Sequence, residues 1–565
     1  MDQATLITKL NTNKDAAFKF QQRRHSDWNE NYTLYRDKVI INRLTQRQSV
    51  NIPLIKETLR TILAQTDDAP DLFFEELSND KQKEIFLNEY FLKNAQDNKL
   101  EIKDIVDKKQ EYLYGRTFKK LNVVAGAPYV EILDPYDILV DRYADPADLD
   151  TAQFIIHQHI FRTLREIENN PLYDQGAITK LKIFYATEGG LIKSGENAQS
   201  LAEKNQRMET MGDVDITNPL LGEVYVELNE HYIKLWDEAK KKFEIHLVTT
   251  CSGAGTEILL DKPLEEIIGK TKDDYWQNHY PILSWADDVE RSDIWSDGVA
   301  DIVRTPNKIL NAWFSQLVEN RTLRNFGMNY YDATEPKFIP QTFEPIPWGW
   351  YPIPGDPNKI IRRVDIPELK EGLPEMMYLT GIAERATAIT AQEKGVSEKK
   401  QITLGEVKIL AAKTQEKAIA TAKFYRESWK DFCYRWSKFI EGQADNLEPI
   451  KLSKKSLAGK LYSRIIKPKN LVSEVNYQIK VFFSAEQEAK TLEDIQKMTA
   501  VSGQMPDNVP LRKIFQKKLL NMINLNPEDI KEILDFEEQK IKTLPTPTSP
   551  GVALPEAAIP SGVAV

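Results

Sequence analysis

Five carboxylates, Asp287, Asp288, Glu290, Asp293 and Asp297, fall within eleven consecutive residues. Grouped carboxylates can hold Mg²⁺ and support phosphoryl chemistry. Their spacing matches no ligand loop of the EF-hand kind, and acidic residues ahead of a helix commonly serve as caps, which is the reading we prefer. The stretch DPYDILVDRYADPADLD (134–150) is equally acidic, and its Asp134-Pro135 and Asp145-Pro146 pairs account for it as turns. His157 and His159 lie two apart in the apolar strand pattern FIIHQHIF and should face the same side. Such a pair can ligate zinc, but neither cysteine is near in sequence, so a satisfied structural pair is expected. Cys251 and Cys433 have no sequence-evident catalytic partner. Gly253 and Gly255 in CSGAG resemble a phosphate cradle only superficially and fit a hairpin turn better. There is no GxxxxGK[ST] loop and no GxGxxG. The expectation is a chain without catalytic residues, without a metal and without a cofactor.

The composition is that of a folded protein, with 28% charged and 41% hydrophobic residues, and 565 residues are too many for one ordinary core. Two to four domains are expected. The formal net charge of -10 argues against a generally basic surface, so any nucleic-acid contact must come from a local patch or be weak. Two cysteines far apart in sequence suit a reducing compartment. No apolar run approaches a membrane span and MDQATLITKLNTNKD has no signal-peptide core, so neither membrane insertion nor signal-peptide export is expected.

Along the chain, residues 2–36 read as a helix with Trp28, Tyr32 and Tyr35 on a packing face, followed by a helix over 50–65 with Pro53 near its start. Helices are expected at 79–95 and 99–114, then strands around 116–133 with Gly126 in a hairpin turn. Residues 186–220 are polar and read as an exposed excursion; 223–236, 242–250 and TEILL read as a three-stranded meander.

The stretch 295–326 organises the second half of the chain. Val299, Ile302, Val303, Pro306, Ile309, Leu310, Trp313 and Leu317 recur at helical steps, with Asp293, Ser296 and Asp297 as candidate caps and Thr305 as a second start before Pro306. Residues 330–367 are rich in proline and aromatics, which favours short strands and loops; Trp348 and Trp350 around Gly349 form an aromatic knot, read as local packing ahead of partner docking. Helical spacing returns over 372–390, so two helices able to run antiparallel bracket a small β module. After the polar break AQEKGVSEKKQ, residues 403–442 contain no proline and read as one helix of about 57 Å. Its stripe, Val407, Ala411, Ala418, Ala422, Tyr425, Trp429, Phe432 and Trp436, is that of a core helix. Strands are expected in LYSRIIKP and 471–485, helices over 486–543, and disorder in the Pro-rich tail.

Helix, small β module, helix, basic loop, long helix: this order, and the phrases WADDVERSDIWSDGVADIVRTPNKILNAWFSQLVENRTLRNFG and EILDPYDILVDRYADPADLDTAQFIIHQHIF, resemble the tailed-phage portal proteins, the head-to-tail connectors, over most of residues 30–445. The resemblance implies an α+β portal-type fold with a mixed α/β wing (1–294 and 403–485), a two-helix stem (295–326 and 368–390), a small β-rich clip (327–367), a tunnel loop (391–402), a long spoke helix, a helical crown (486–543) and a disordered tail (544–565). It implies a homo-oligomeric, dodecameric ring at a capsid vertex of the virion, assembled in the host cytoplasm. Double-stranded DNA would pass through its channel without sequence specificity. The large terminase, a head-to-tail adaptor, the major capsid protein and scaffold are the implied partners, with no membrane and no cofactor. Lacking a P-loop, the chain would be the passive partner of the packaging motor. Lys394, Lys399 and Lys400 are then the expected weak DNA contacts, Trp348, Trp350, Arg362 and Arg363 the docking residues, and Val299, Ile302, Ile309, Leu310, Trp313 and Leu317 the stem packing. Two alternatives remain: another ring-forming virion component, such as an adaptor or minor capsid protein, and a metal-dependent DNA-processing enzyme.

Overall fold

A computed structural model describes residues 2–38, 50–65, 70–76, 81–124, 126–188, 198–209, 225–238, 240–252, 256–325, 329–331, 361–363, 365–368, 372–387, 404–455, 461–471 and 477–483. The chain opens with α1 (Gln3–Tyr35) and α2 (Leu54–Gln65), then strand β1 (Pro70–Glu76), helices α3 (Lys81–Asp97) and α4 (Leu100–Tyr114), and the hairpin β2 (Thr117–Val124) and β3 (Ala127–Leu133). Gly126 turns that hairpin with a φ of 73°, a conformation open to glycine at little cost.

The central element is a five-stranded antiparallel sheet, β4 (Ile138–Val140), β5 (Phe154–Thr163), β6 (Tyr225–Asp237), β7 (Lys242–Ser252) and β8 (Thr256–Pro263), paired in that order. The expected meander is therefore the far part of a larger sheet. Alternation along the strands supplies two apolar faces. Leu139, Ile156, Ile233 and Val248 meet Leu6, Leu10 and Ala17 of α1 on one side. On the other, Val226, Leu228, Cys251 and Leu259 meet Ile178, Leu181 and Tyr185 of α6 (Gln175–Glu188), which follows the short α5 (Leu164–Glu168). Mixed helix and antiparallel sheet make this an α+β protein.

Residues 186–220 differ from expectation. Ala198–Glu209 is a helix, α7, held against α1 and the β4 region by charge: Glu203 meets His25, Lys204 reaches Asp137 at 2.7 Å and Arg207 reaches Asp134 at 2.5 Å. Its polar composition, which suggested exposure, is what makes the contact. Residues 189–197 and 210–224 lie outside the described residues.

Next come α8 (Leu264–Ile268), strand β9 (Ile282–Trp285), which pairs with β2, and α9 (Val299–Asn325). Strands β10 (Asn329–Tyr331) and β11 (Ile361–Arg363) pair antiparallel, followed by helices at Gly372–Thr387 and Leu404–Gln443. In the last, Tyr425, Trp429, Phe432 and Trp436 are buried as the stripe requires. The side chains of Val407, Ala411, Ala418 and Ala422 lie outside the described residues, as do the 486–543 helices and the tail. A second compact unit comprises Pro449–Ile466 and Phe483–Val565; its described part is chiefly an antiparallel hairpin of Ile450–Lys455 with Leu461–Ile466. The strand expected at 471–485 runs Tyr477–Phe483.

Candidate functional site: a helix pair and its root

Helix α9 runs unbroken through Pro306. The carbonyl that proline leaves without a helical donor belongs to Ile302, whose side chain is 48% exposed, on the side where water can serve it. The candidate caps act elsewhere: Asp293 accepts from the Trp295 N–H and pairs with Arg23, while Asp297 pairs with Arg24. The N–H of Gly298 instead donates to Asp301 at 2.9 Å. Just before the helix, the Ser296 carbonyl lies so close to Gly115, the C-cap of α4, that a Cβ there would sit 1.9 Å away. Gly115 also has a φ of 85°, so only glycine suits this junction.

Asp301 is the hub of the root. Its carboxylate is 6% exposed and accepts from Arg24 (2.8 Å) and Asn31 (2.9 Å) of α1 as well as from Gly298. One turn on, Arg304 pairs with Asp27 at 3.0 Å and Lys308 with Glu30 at 2.6 Å, so α1 and α9 are joined by an ion-pair row. A second row ties α9 to the segment entering α2: Leu54 N–H donates to Asn307 Oδ1 (3.1 Å), Ile52 N–H to Asn311 Oδ1 (2.7 Å) and Val50 N–H to Ser315 Oγ (3.0 Å). Asn307, Asn311 and Ser315 stand four apart, one face of the helix, and satisfy backbone donors that a helix start cannot pair itself. The sequence signal was available in part, since Asn307 interrupts the apolar row Val303–Leu310 as a polar residue at a buried position.

Burial along α9 is uneven. Ala300, Val303, Asn307 and Leu310 are buried, and no residue from Asn311 to Asn325 is. Of the six stem positions, Leu310 is buried, Val299, Ile309, Trp313 and Leu317 are half-buried, and Ile302 faces outward. The Gly372–Thr387 helix lies alongside the second half in the reverse direction, anchored where Asn320 donates to the Pro367 carbonyl (3.0 Å) and Arg324 pairs with Glu368 (3.1 Å). Ala383 is buried there, whereas Met377 is 76% exposed and Tyr378 66%. Arg362 and Arg363 lie on β11 with Tyr330 and Asn329 as backbone partners. Trp348, Trp350, Lys394, Lys399 and Lys400 lie outside the described residues.

The other sequence candidates separate. In the acidic cluster, Asp293 and Asp297 are engaged as above, and the Asp287 N–H donates to Glu111. Burial, followed by the charge of Asp287, pushes the Glu111 carboxyl well above the usual range. In the 134–150 stretch, Asp134, Asp145 and Asp148 accept turn N–H groups, as expected. Asp134 also anchors α7: burial would raise its pKa, but Arg207 and Lys204 outweigh that and hold it below the usual range. Asp150 clasps Arg435 of the long helix at 2.8 Å.

The histidine expectation is corrected. A register shift between His157 and Ile160, with His159 at a φ of 58°, inserts an extra residue and breaks the alternation. His157 consequently faces Glu230 (3.9 Å), while His159 pairs with Asp137 (2.8 Å) and approaches Glu227. Glu227 and Glu230 are three apart on one strand, on opposite faces, so the two imidazoles do not form a zinc pair. Cys251 and Cys433 are buried thiols not joined in a disulfide. Among the described residues no three His, Cys, Asp or Glu side chains are placed to hold a metal, and no helix is long and apolar enough to cross a membrane.

What the described residues assemble is a scaffold, in which a mixed helix-and-sheet body roots a helix pair linked through a small β pairing. Residues 43–535 match the family model described as phage SU10 portal protein. The chain belongs to that family and is a tailed-phage portal protein, a ring-forming structural component of the virion capsid that serves DNA packaging. No curated protein matches it.

Proposed function

We propose that copies of this chain close into a ring, dodecameric as the resemblance implies, whose central channel passes double-stranded DNA inward during packaging and outward at ejection. The observation that carries this reading is the asymmetry of α9. Its first half is covered by its own chain, while its second half and the Gly372–Thr387 helix leave Val318, Met377 and Tyr378 exposed. A neighbouring copy would cover such a surface. In this reading α9 and its partner form the stem, and 327–367 forms the clip that docks the large terminase and later the head-to-tail adaptor. Trp348, Trp350, Arg362 and Arg363 are its contact residues. The loop 391–402 faces the channel, where Lys394, Lys399 and Lys400 touch phosphates weakly and without sequence preference. The wing meets the major capsid protein and scaffold, the 486–543 segment forms the crown, and the ring assembles in the host cytoplasm. The body is knit by buried charge, as at Lys119–Asp107 (2.8 Å) and the Tyr425 hydroxyl on Asp104, which suits a rigid frame.

End-on electron microscopy and sedimentation of the purified chain test this. Closed rings with an opening wide enough for duplex DNA are expected; a stable monomer at micromolar concentration, with or without scaffold, would sink the reading. Replacing Arg362 and Arg363 by Glu should leave rings intact and weaken terminase docking, whereas loss of rings would move both arginines to a subunit interface.

A further inference from the structure

We propose that the cleft between α1, the loop after β4 and strand β6 is a nucleic-acid site that takes the phosphodiester backbone of duplex DNA without reading its sequence. This goes beyond the channel reading, because none of its residues lies between 295 and 402. The cleft has a volume of about 670 Å³, and Lys9, Lys19, Arg23, Arg142, Tyr143 and Lys234 line it. Five cations thus converge from three elements far apart in sequence, a convergence that the polar face of one solvated helix would not produce.

The charge is available for a ligand. Among the described residues no carboxylate pairs with Lys9, Lys19 or Arg142. The Arg23 and Arg142 guanidinium groups stand over the Phe20 ring, at 4.3 and 5.6 Å, which fixes both at the cleft wall. Asp141, the carboxylate in the cleft, is buried and already accepts from the Tyr143 and Gln153 N–H groups at 3.1 Å each. Arg23 is shared with Asp293, and Lys234 donates to the Asp150 carbonyl, so these two form the rim.

The row also has the right length. Lys9, Asn13, Ala16, Phe20 and Arg23 share one face of α1. The rise from Lys9 to Arg23 is about 21 Å, over which one strand of a duplex carries about six phosphates. Ala16 keeps the floor low, and Tyr143, 88% exposed, stands at the edge. Cations held along a rigid helix, Lys9 and Arg23 at the two ends of this face and Lys19 beside it, suit a repeating polyanion better than an acidic peptide, and against a net charge of -10 such a patch stands out.

The test is fluorescence anisotropy of the full chain with an arbitrary labelled duplex, titrated between about 50 and 200 mM salt. Lys9→Gln with Lys19→Gln and Arg142→Gln should weaken binding at the lower salt at least tenfold and make the salt slope shallower by about 0.9 for each phosphate no longer neutralised. An unchanged melting curve and unchanged ring formation show that folding and assembly survive, which keeps a failure here separate from a failure of the channel reading. Lys394→Gln with Lys399→Gln and Lys400→Gln should leave this binding in place. Unchanged affinity of the cleft variant, or loss of all binding in the loop variant, overturns the proposal. Equal affinity for poly-glutamate overturns it in favour of an acidic protein partner.

Discussion

The two halves of α9 share one amphipathic pattern and one helix, yet they live in different surroundings. From Val299 to Leu310 the helix buries Ala300, Val303, Asn307 and Leu310 and is bound to α1 through Asp301, Arg304 and Lys308. From Asn311 to Asn325 no side chain is buried, although Trp313 and Leu317 continue the apolar spacing. The difference teaches that an apolar stripe states a need for cover without saying which chain supplies it. In the first half the body does so; in the second the Gly372–Thr387 helix covers part of the stripe, and under the ring reading a neighbouring copy covers the rest.

Removing the hub should break the contrast most. Asp301→Ala leaves Arg24, 14% exposed, short of its most buried carboxylate partner and strips a hydrogen-bond acceptor from Asn31 and Gly298. A loss of about 3 kcal/mol is expected, the low end for a broken buried pair because Asp297 still pairs with Arg24. Denaturant midpoints read it, and a midpoint within error of the parent would show that the root is not held by this network.

Truncation on either side of the boundary sharpens the comparison. Leu310→Ala should cost about 2–5 kcal/mol in the dissociated chain, the range for a fully buried leucine. Val318→Ala, at a 37% exposed position, should change the dissociated chain by less than about 0.5 kcal/mol while weakening ring assembly. Equal costs in the dissociated chain would mean that the two halves are packed alike.

Acid should loosen the sheet beneath α1 before it affects the helix pair. His231 is 2% exposed, with Thr250 as hydrogen-bond partner and Lys14 nearby, and burial pushes its pKa down to about 3. The unfolded imidazole titrates near 6.5, so between about pH 6.5 and 3 the unfolded chain binds the extra proton and stability falls as pH falls. At about pH 5 this one group costs about 2 kcal/mol relative to pH 8. His25, also held low by burial despite Glu203, acts in the same direction. Urea midpoints of the parent and of His231→Gln across that range check the sign; parallel pH profiles would count against it.

Of the substitutions expected to destabilise the dissociated chain, those in the ladder should cost least. Ser315→Ala removes one half-buried acceptor and should cost about 1 kcal/mol, and Asn307→Ala should cost up to about 1.5, because the Leu54 N–H keeps the Ile52 carbonyl at 2.8 Å as a partner. Hydrogen exchange at Val50 and Leu54 separates the two, and equal protection in both variants would show that solvent replaces either acceptor.

Local pattern alone determined most of the elements. Helical spacing placed α1, α2, α4, α9 and the long helix to within a few residues of where they lie, Gly126 marked its hairpin, and alternation found β6 and β7. These are periods of 3.6 and 2, written in neighbouring residues and independent of what the element packs against. The tertiary structure decided what has no local signature. Arg24 meets Asp301 and Leu54 meets Asn307 across more than 250 positions, and spacing cannot encode such a pairing. The extra residue at His159 reverses the face of one imidazole while leaving the apolar pattern of β5 intact. Helix α7 is polar because it docks through charge, so its composition looked like exposure until Asp134, Asp137 and His25 were seen opposite it. For α9, likewise, periodicity fixed the helix, and only the packing of α1 and α2 against its first half decided where the chain's own cover ends.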